Sequence, residues 1–372
     1  MRVLYFSPVP WRSFAQRPQH FVHYLLEHHQ AEVCWVEPYP TRLPRLSDFH
    51  ALRNSASAGS DASVALDHPN LQRIKVRALP IEPLPGSLWL NRALWKSASQ
   101  QIDAFLQDSS TLIVIGKPSL QALQVCLDYP QHRRIYDAMD NFAYYYHGCS
   151  RRSMYQITQR LQSEVDQIWS SCHSMFGLEA VQAKTRFILN ACVPDSLPAL
   201  QVKTINQQAP VFGFLGTVSE RFDWQAVLAL AEYLQRHLAA ARLRIIGPLH
   251  HHYSGDLPAN IECLPACSHQ QAIMAMQGFD VGLIPFHENL ATNSIDPVKF
   301  YEYHALGLPI VSSYFGEMKN RLQHPGVYIY HEPAQIIAAA LQSLHYQADL
   351  PQLARFRAEN NWHARFSQAL LD

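Results

Sequence analysis

The stretch NLATNSIDPVKFYEYHALGLPIVSS at residues 289–313 constrains the fold more than any other part of the sequence. Its pattern predicts a loop, a short helix, a glycine turn and a buried strand. Asp296 is expected to cap the helix and Pro297 to occupy its first position, because Asp accepts bonds from free N–H groups and proline lacks one. Gly307 ends the helix, and the apolar residues after it predict a strand without a polar face.

Two charged residues of this helix, Lys299 and Glu302, are three positions apart and therefore share a face. A helix N-terminus and a lysine attract an anion, and a carboxylate beside them accepts hydrogen bonds from hydroxyl groups. The arrangement favours a site for a phosphate with a nearby ribose. The alternative is an exposed amphipathic helix with an ordinary ion pair.

With 372 residues the chain is longer than one hydrophobic core usually organises, so we expect two domains. Strands and helices alternate in both halves, which predicts α/β architecture with two doubly wound, Rossmann-like domains and a ligand in the cleft between them. A stretch at 193–209 without a hydrophobic pattern is the predicted linker. Predicted strands are 3–6, 31–37, 72–79, 112–115, 134–137, 167–171, 185–190, 211–215, 242–246, 260–264, 281–285, 310–312 and 327–330. Predicted helices begin near residue 17 and cover 88–106, 154–166, 224–238, 270–276, 298–305, 334–345 and 350–371, and a mobile loop is expected at 54–67.

The composition excludes several classes of protein. Lysine and arginine together number 30, and so do aspartate and glutamate. The formal net charge is therefore zero and gives no reason to expect nucleic-acid binding. No signal peptide and no apolar run of membrane-spanning length is present, which predicts a cytoplasmic protein. The seven cysteines are odd in number and are expected to be reduced. Cys263 and Cys267 have a ligand-like spacing without a second pair, so a metal there is not expected.

The motif PVKFYEYHALGLPIV resembles the donor-binding helix of GT-B glycosyltransferases, in the family-4-like form of bacterial polysaccharide enzymes. The resemblance extends upstream through FDVGLIPF at 279–286 and GFLGTVSERFDW at 213–224. It implies an acceptor-binding domain at 1–198, a nucleotide-sugar domain at 199–349, and a helix at 350–372 that crosses back to the first domain. Retaining family-4 enzymes have a glutamate eight positions before the one matched by Glu302. Ser294 stands there, so retention is not implied.

The loop after the strand at 211–215 contains Gly216, Thr217 and Arg221. Glycine lets a ligand approach the backbone, threonine offers a hydroxyl, and arginine holds two phosphate oxygens in a planar fork. The resemblance places this loop at the donor diphosphate and makes Arg221 and Lys299 its charge neutralisers. It also implies that Asp296 and Glu302 contact the donor, Glu302 through the donor's hydroxyl groups. Alternatively, Arg221 pairs with Asp223 on an exposed turn.

The strand at 134–137 runs into two carboxylates, Asp137 and Asp140. Loops after strand C-termini carry functional groups in such sheets, and a carboxylate there is able to deprotonate an acceptor hydroxyl. The segment resembles the catalytic segment of the inverting glucuronosyltransferase of xanthan assembly, which implies that Asp140 is the base. Asp137 lies closer to the strand and is expected to cap or to orient. The alternative is that Asp140 caps the next helix.

Three further segments have two interpretations each. Arg17 and His20, at the start of the first helix, contact a substrate phosphate or fix the N-terminal loop. EPLPGSLWLNRALWK at 82–96 places tryptophans beside basic residues, which suits a membrane interface and also core packing. The histidines at 250–252 do not share a face, so solvent exposure or a donor contact is expected in place of a metal site. No Asp-x-Asp motif is present, which favours metal-independent catalysis.

These features predict a cytoplasmic glycosyltransferase that associates with the inner face of the plasma membrane. It would transfer a sugar from a nucleoside-diphosphate donor to a hydroxyl of a glycan or polyprenyl-linked acceptor, without a cofactor or metal. A nucleotide-sugar epimerase shares the GT-B architecture and is the rival enzyme class. A two-domain solute-binding protein is the non-enzymatic rival, although its exported forms need a signal sequence.

Overall fold

A computed structural model describes residues 1–44, 68–107, 110–175 and 179–370. The chain forms two compact units: Met1–Ser171 with Met175–Ile188, and Cys172–Ser174 with Leu189–Asp372. The predicted domain boundaries and the crossing back of 350–372 stay predictions. The mobile loop expected at 54–67 lies outside the described residues.

The first unit contains a seven-stranded sheet in which all paired strands are parallel. The strand order is β3-β2-β1-β4-β5-β6-β7. The central strands are buried on both faces, so their sequences are continuously apolar. The strands are β1 (Arg2–Phe6), β2 (Glu32–Val36), β3 (Leu71–Ile74), β4 (Thr111–Ile115), β5 (Arg133–Ala138), β6 (Gln167–Ser170) and β7 (Thr185–Phe187).

Helices connect these strands, and most of them match the predicted helices. They are α1 (Arg17–His29), α2 (Ser87–Leu106), α3 (Leu120–Asp128), α4 (Gly148–Glu164) and α5 (Glu179–Gln182), with a 3-10 turn at Phe142–Tyr145. α3 was not predicted, although Ser119 caps it by accepting from the Ala122 N–H. The strands expected to reach residues 79 and 190 end at Ile74 and Phe187, so both predictions were too long.

The second unit repeats the scheme with six parallel strands in the order β10-β9-β8-β11-β12-β13. The strands are β8 (Val211–Leu215), β9 (Arg242–Ile246), β10 (Ile261–Leu264), β11 (Val281–Ile284), β12 (Ile310–Ser313) and β13 (Val327–Tyr330). The helices are α6 (Trp224–His237), α7 (His269–Gln277), α8 (Val298–Ala305), α9 (Ile336–Ser343), α10 (Leu350–Glu359) and α11 (Trp362–Leu370). 3-10 turns lie at Pro194–Ser196, Thr292–Ser294, Gly316–Arg321 and Pro333–Gln335. Two doubly wound parallel sheets confirm the predicted fold class, while the single predicted tail helix is two helices.

Close packing fixes α8 against the sheet of the second unit. A Cβ added to Gly282 of β11 would lie 2.3 Å from the Tyr303 ring, so only glycine admits this ring. The Tyr303 hydroxyl accepts a hydrogen bond from the Leu215 N–H at 3.0 Å. The helix is thereby held at the carboxyl end of β8. The face that carries Lys299 and Glu302 lies beside the loop after that strand.

Candidate functional site

Lys299 lies directly against Gly216. Gly216 has φ 141°, and a Cβ there would be 2.6 Å from the Lys299 Nζ atom. Gly247, at the end of β9, has φ 138°, and its Cβ would meet the Gly216 carbonyl oxygen at 2.3 Å. Such φ values are rarely adopted by residues other than glycine. Two glycine loops therefore pack against each other, and the Lys299 ammonium lies against the backbone of Gly216.

The charges of Lys299 and Glu302 attract each other without direct contact. Burial lowers the pKa of Lys299, the Glu302 carboxylate opposes this, and the Arg221 charge adds to the lowering. Burial likewise raises the pKa of Glu302, against the effect of Lys299. Within the described part of the chain neither side chain has a hydrogen-bond or ion-pair partner, so the alternative of an ordinary ion pair is not formed. The Lys299 Nζ atom lies 5.3 Å from the centre of the Phe214 ring. The Lys299 ammonium and the Glu302 carboxylate are therefore both able to bind a ligand.

Arg221 and Thr217 lie on the same loop. Arg221 is half-buried, and its Nε donates to the Ser219 hydroxyl at 3.4 Å. Thr217 is exposed. Asp223, the alternative partner of Arg221, is buried and caps α6 by accepting from the Ala226 N–H at 3.0 Å. The structure therefore brings the guanidinium and the Lys299 ammonium to one loop.

The prediction that Asp296 caps α8 is wrong. Pro297 occupies the cap position, and no side chain caps the helix. The Asp296 carboxylate is fully buried and accepts from Arg321 Nη2 at 2.6 Å, the Tyr301 hydroxyl at 2.9 Å and the Asn190 N–H at 2.7 Å. Burial raises the pKa of Asp296, opposed by the Arg321 charge. Asp296 was also predicted to contact the donor, but its burial makes it a support for the start of α8.

Replacing Arg321 by methionine is expected to destabilise the second unit by about 3–5 kcal/mol, because a buried Asp296 carboxylate would lose its countercharge. The Arg321 guanidinium also stacks on the Phe300 ring at 3.6 Å. Chemical denaturation measures the effect, with the exposed Arg355→Met as the matched control, expected within about 0.5 kcal/mol of wild type. Equal unfolding midpoints for the two variants would contradict this prediction.

In the first unit, Asp137 and Arg17 form a buried ion pair. Arg17 Nε donates to Asp137 Oδ1 at 2.9 Å, and the Tyr5 hydroxyl donates to Oδ2 at 3.1 Å. Arg17 also donates to the Ile188 carbonyl. The structure thus supports the alternative in which Arg17 fixes the N-terminal loop, while the predicted role of Asp137 stays a prediction. His20 is half-buried in the first turn of α1, and its role stays a prediction.

Asp140 lies two residues beyond the end of β5 and is half-buried. The Tyr145 hydroxyl donates to its Oδ1 at 2.8 Å. Neither helical segment that follows is capped by Asp140, because their cap residues are Asn141 and His147 and neither segment has a side-chain cap bond. The capping alternative is therefore not the one observed. Tyr145 orients this carboxylate, and no local sequence signal indicated that contact.

The histidines at 250–252 are exposed on the loop after β9. Backbone bonds join this loop to the loop after β8: Val218 N–H donates to the Pro248 carbonyl at 2.9 Å, and His250 N–H donates to the Val218 carbonyl at 2.9 Å.

Sequence reasoning missed Gly247, although a second glycine directly after a strand was a usable signal. In the described ranges, no cluster of histidine, cysteine, aspartate or glutamate has the geometry of a metal site.

Comparison with solved structures gives the architecture. No protein-family model matches the sequence, and a search of curated proteins finds no match. The chain resembles sucrose-phosphate synthase (tll1590) from Thermosynechococcus elongatus, with TM-score 0.61 and 13% identity over 99% of this chain and 97% of that one. It also resembles Anabaena Alr3699/HepE in complex with UDP and glucose, with TM-score 0.60 and 12% identity over 99% and 98%. The chain has the GT-B fold. This confirms the predicted resemblance at the level of fold.

The chain also resembles a protein provisionally named as a UDP-N-acetylglucosamine 2-epimerase from Listeria monocytogenes, with TM-score 0.53 and 10% identity over 99% of this chain and 94% of that one. The fold alone therefore leaves two enzyme classes to separate. Among the described helices, none is long and apolar enough to cross a membrane.

Proposed function

We propose that the protein is a glycosyltransferase that moves a sugar from a nucleoside-diphosphate donor to a hydroxyl of an acceptor. The observation that carries the proposal is the Lys299 ammonium, held against Gly216 without a partner in the described chain. A leaving diphosphate develops negative charge, which a preorganised cation in a partly buried site stabilises strongly. The solved HepE structure contains UDP and glucose, which supports this class of donor.

The charged groups of the candidate site in the second unit each have a part in this reaction. Lys299 and Arg221 neutralise the diphosphate, with the Thr217 hydroxyl as a further hydrogen-bond donor. Glu302 accepts hydrogen bonds from hydroxyl groups of the nucleotide sugar. Since two side chains supply the countercharge, we propose catalysis without a metal, and EDTA is expected to leave turnover unchanged.

In the first unit, Asp140 is the proposed general base. It would accept the proton of the acceptor hydroxyl as that oxygen attacks the anomeric carbon and the bond to the diphosphate breaks. Its hydrogen bond from the Tyr145 hydroxyl, at 2.8 Å, orients the carboxylate. Asp137 is buried and pairs with Arg17.

A panel of nucleoside diphosphates tests donor binding directly. The free energy of unfolding should rise by about 2.7 kcal/mol with a nucleotide present at a hundred times its dissociation constant. UDP, GDP, ADP, CDP and dTDP are compared by thermal unfolding. If none raises the unfolding temperature, the proposed donor site is wrong.

The epimerase resemblance makes nucleotide-sugar epimerisation the second candidate. An epimerase converts a nucleotide sugar into its epimer without an acceptor, whereas a transferase only hydrolyses it slowly under that condition. The protein is incubated with each nucleotide sugar that it binds, without an acceptor, and the sugar is analysed by NMR. This separates the epimerase from the transferase. An epimer formed without an acceptor would favour the second candidate.

We further propose that the acceptor is lipid-linked and that α2 binds the inner face of the plasma membrane. Trp89 is 77% exposed, Leu90 45% and Leu94 41%. Arg92 and Lys96 are exposed beside them and match the charge of anionic lipids. Core packing, the alternative, applies to Trp95, which is 3% exposed and contacts Tyr39, but not to Trp89.

Replacing Trp89 and Leu94 together by serine is expected to lower partitioning onto vesicles by about tenfold or more, because two apolar side chains no longer enter the bilayer interface. Sedimentation with phosphatidylglycerol–phosphatidylcholine vesicles measures this. Met274→Ser is the control, because Met274 is 57% exposed on α7 of the other unit. Equal partitioning of the double variant and wild type would refute the membrane contact.

A further inference from the structure

A large open cavity lies in the second unit, on the far side of α8 from Lys299 and Glu302. Its volume is about 470 Å³, and all the residues that line it belong to this unit. Phe300, Tyr301 and His304 are its lining residues on α8. Helical spacing puts them on the face opposite to the two charged residues of the candidate donor site. The volume is typical of small-molecule sites, so the cavity is large enough for a ligand of its own.

Aromatic rings form the floor of this cavity. The Phe356 ring of α10 lies edge-on to His304 with ring centres 4.2 Å apart, and its centre is 5.8 Å from that of Phe300. Burial lowers the pKa of His304 to about 3, so the imidazole is neutral at physiological pH and adds no charge to the floor. These ring contacts hold α10 against α8, and a ligand in the cavity meets an uncharged, mostly carbon surface at the bottom.

Polar side chains of α10 form one wall of the cavity. Gln352, Arg355 and Glu359 line it and are exposed, and their spacing of three and four residues puts them on one face of the helix. Arg355 and Glu359 have opposite charges at this spacing. In the described chain, however, the side chain of neither residue has an ion-pair or hydrogen-bond partner. The guanidinium and the carboxylate are therefore both available to a ligand.

Two other charged residues that line the cavity are already paired. Arg321 Nη2 lies 2.6 Å from the buried carboxylate of Asp296. Glu317 accepts from the backbone N–H of His173 at 3.0 Å, and its other oxygen lies 2.9 Å from the ring Nδ1 atom of the same histidine. The Asn320 amide also donates to Glu317 at 3.1 Å. Arg321 and Glu317 therefore shape the cavity but have little capacity left for a ligand.

Arg365 supplies a second cation to the cavity. It is half-buried on α11, and its Nη2 donates to the amide oxygen of Asn360, which is neutral. The charged groups without an ion-pair partner are thus Arg355 and Arg365 against Glu359. Two guanidinium groups bind a carboxylate well, whereas a single acidic side chain accepts hydrogen bonds from hydroxyl groups and repels a second negative charge. This set favours a ligand with one carboxylate and several hydroxyl groups.

We propose that the cavity is a second ligand site, which binds a sugar acid. The ligand carboxylate accepts hydrogen bonds from Arg355, with Arg365 as the second cation. Hydroxyl groups of the sugar donate to Glu359 and bond to the Gln352 amide. The C–H face of the sugar ring lies on the aromatic floor, as the mixed lining of small-molecule sites allows. The site goes beyond the proposed sugar transfer, because it uses none of the residues assigned to that reaction.

Ligand-observed NMR titrations with glucuronate, galacturonate and gluconate test the inference. At least one of these sugar acids is expected to bind wild type in a saturable manner. Glucose lacks the carboxylate and acetate lacks the sugar hydroxyls, so each should bind about tenfold more weakly or less, because hydrogen bonds to charged groups are lost. Glucose 6-phosphate should also bind more weakly than glucuronate, because its second negative charge is repelled by Glu359.

Variants locate the binding in this cavity. Arg355→Met should weaken the sugar acid about tenfold and leave the unfolding temperature near that of wild type, because the exposed guanidinium has no partner to lose. Glu359→Gln should shift the preference towards glucose 6-phosphate, because it removes the repelling charge. Arg236→Met is the matched control, since Arg236 pairs only with the exposed Glu232 on α6. Lys299→Ala should leave sugar-acid affinity unchanged, because Lys299 lies on the other face of α8.

Three results would overturn the inference. The first is the absence of saturable binding of all three sugar acids to wild type, and the second is glucose or acetate binding as tightly as the acids. The third is equal sugar-acid affinity in wild type and Arg355→Met, or an affinity lost in Lys299→Ala, which would assign the acid to the candidate donor site. The nucleoside-diphosphate panel tests the proposed transferase function separately, so failure of the sugar-acid site is distinguishable from failure of that function.

Discussion

Lys299→Ala is expected to lower kcat by about 10²–10³-fold, because loss of one preorganised group that stabilises transition-state charge has that effect. Nucleoside-diphosphate affinity should fall as well, since the ammonium also meets the diphosphate in the ground state. The unfolding temperature should stay unchanged, because the Lys299 ammonium has no partner in the described chain to lose. Sugar transfer followed by UDP release, with calorimetry for nucleotide binding, measures both quantities.

Lys319→Ala is the matched control for Lys299→Ala. Lys319 lies in the same unit, and its Nζ forms a surface ion pair with Glu288 at 2.6 Å. Surface pairs contribute little, so activity and stability should both be near wild type. Normal transfer by Lys299→Ala would remove the lysine from the donor site.

The pH dependence of nucleotide binding gives an independent check on Lys299. Burial lowers its pKa below the ordinary lysine value, so the ammonium loses its proton at a lower pH than an exposed lysine does. Nucleotide affinity should therefore decrease as the pH rises towards that lowered pKa. An affinity that stays constant until the ordinary pKa of lysine would show that Lys299 does not carry the attraction.

The convergence of Lys299, Glu302 and Gly216 was predictable from the sequence, because it depends on local rules. Helical spacing puts the two charged side chains on one face, and parallel topology puts the ends of neighbouring strands at one edge. The role of Asp296 was not predictable in this way. Its partner Arg321 is 25 residues further along the chain, and the local signal for a helix cap was overridden by that buried ion pair.

The same limit applies in the first unit. Asp137 and Asp140 are three residues apart at the carboxyl end of one strand, so the sequence indicated a functional carboxylate without distinguishing them by local pattern. Arg17 distinguishes them, because it donates a hydrogen bond to Asp137 from 120 residues away in the sequence. Long-range packing, which pattern reasoning does not reach, decides the positions of Asp296 and Asp137.

Asp140→Asn is expected to reduce transfer by about 10²–10⁴-fold, because an amide cannot accept the proton of the acceptor hydroxyl. Nucleoside-diphosphate binding should be unchanged, since the proposed donor groups lie in the other unit. The unfolding free energy should change little, because Asp140 is half-buried and the amide oxygen still accepts from Tyr145. Transfer rates at saturating donor, measured beside calorimetric nucleotide affinity, give both results.

The neighbouring aspartate provides the opposite control. Asp137→Asn leaves the buried Arg17 charge without its countercharge, so it should destabilise the first unit by about 3–5 kcal/mol. Tyr145→Phe should lower transfer by a smaller factor than Asp140→Asn, since it removes only the hydrogen bond that orients the carboxylate. An Asp140→Asn variant with wild-type transfer would exclude Asp140 as the base, whereas an Asp140→Asn variant as unstable as Asp137→Asn would make both carboxylates structural.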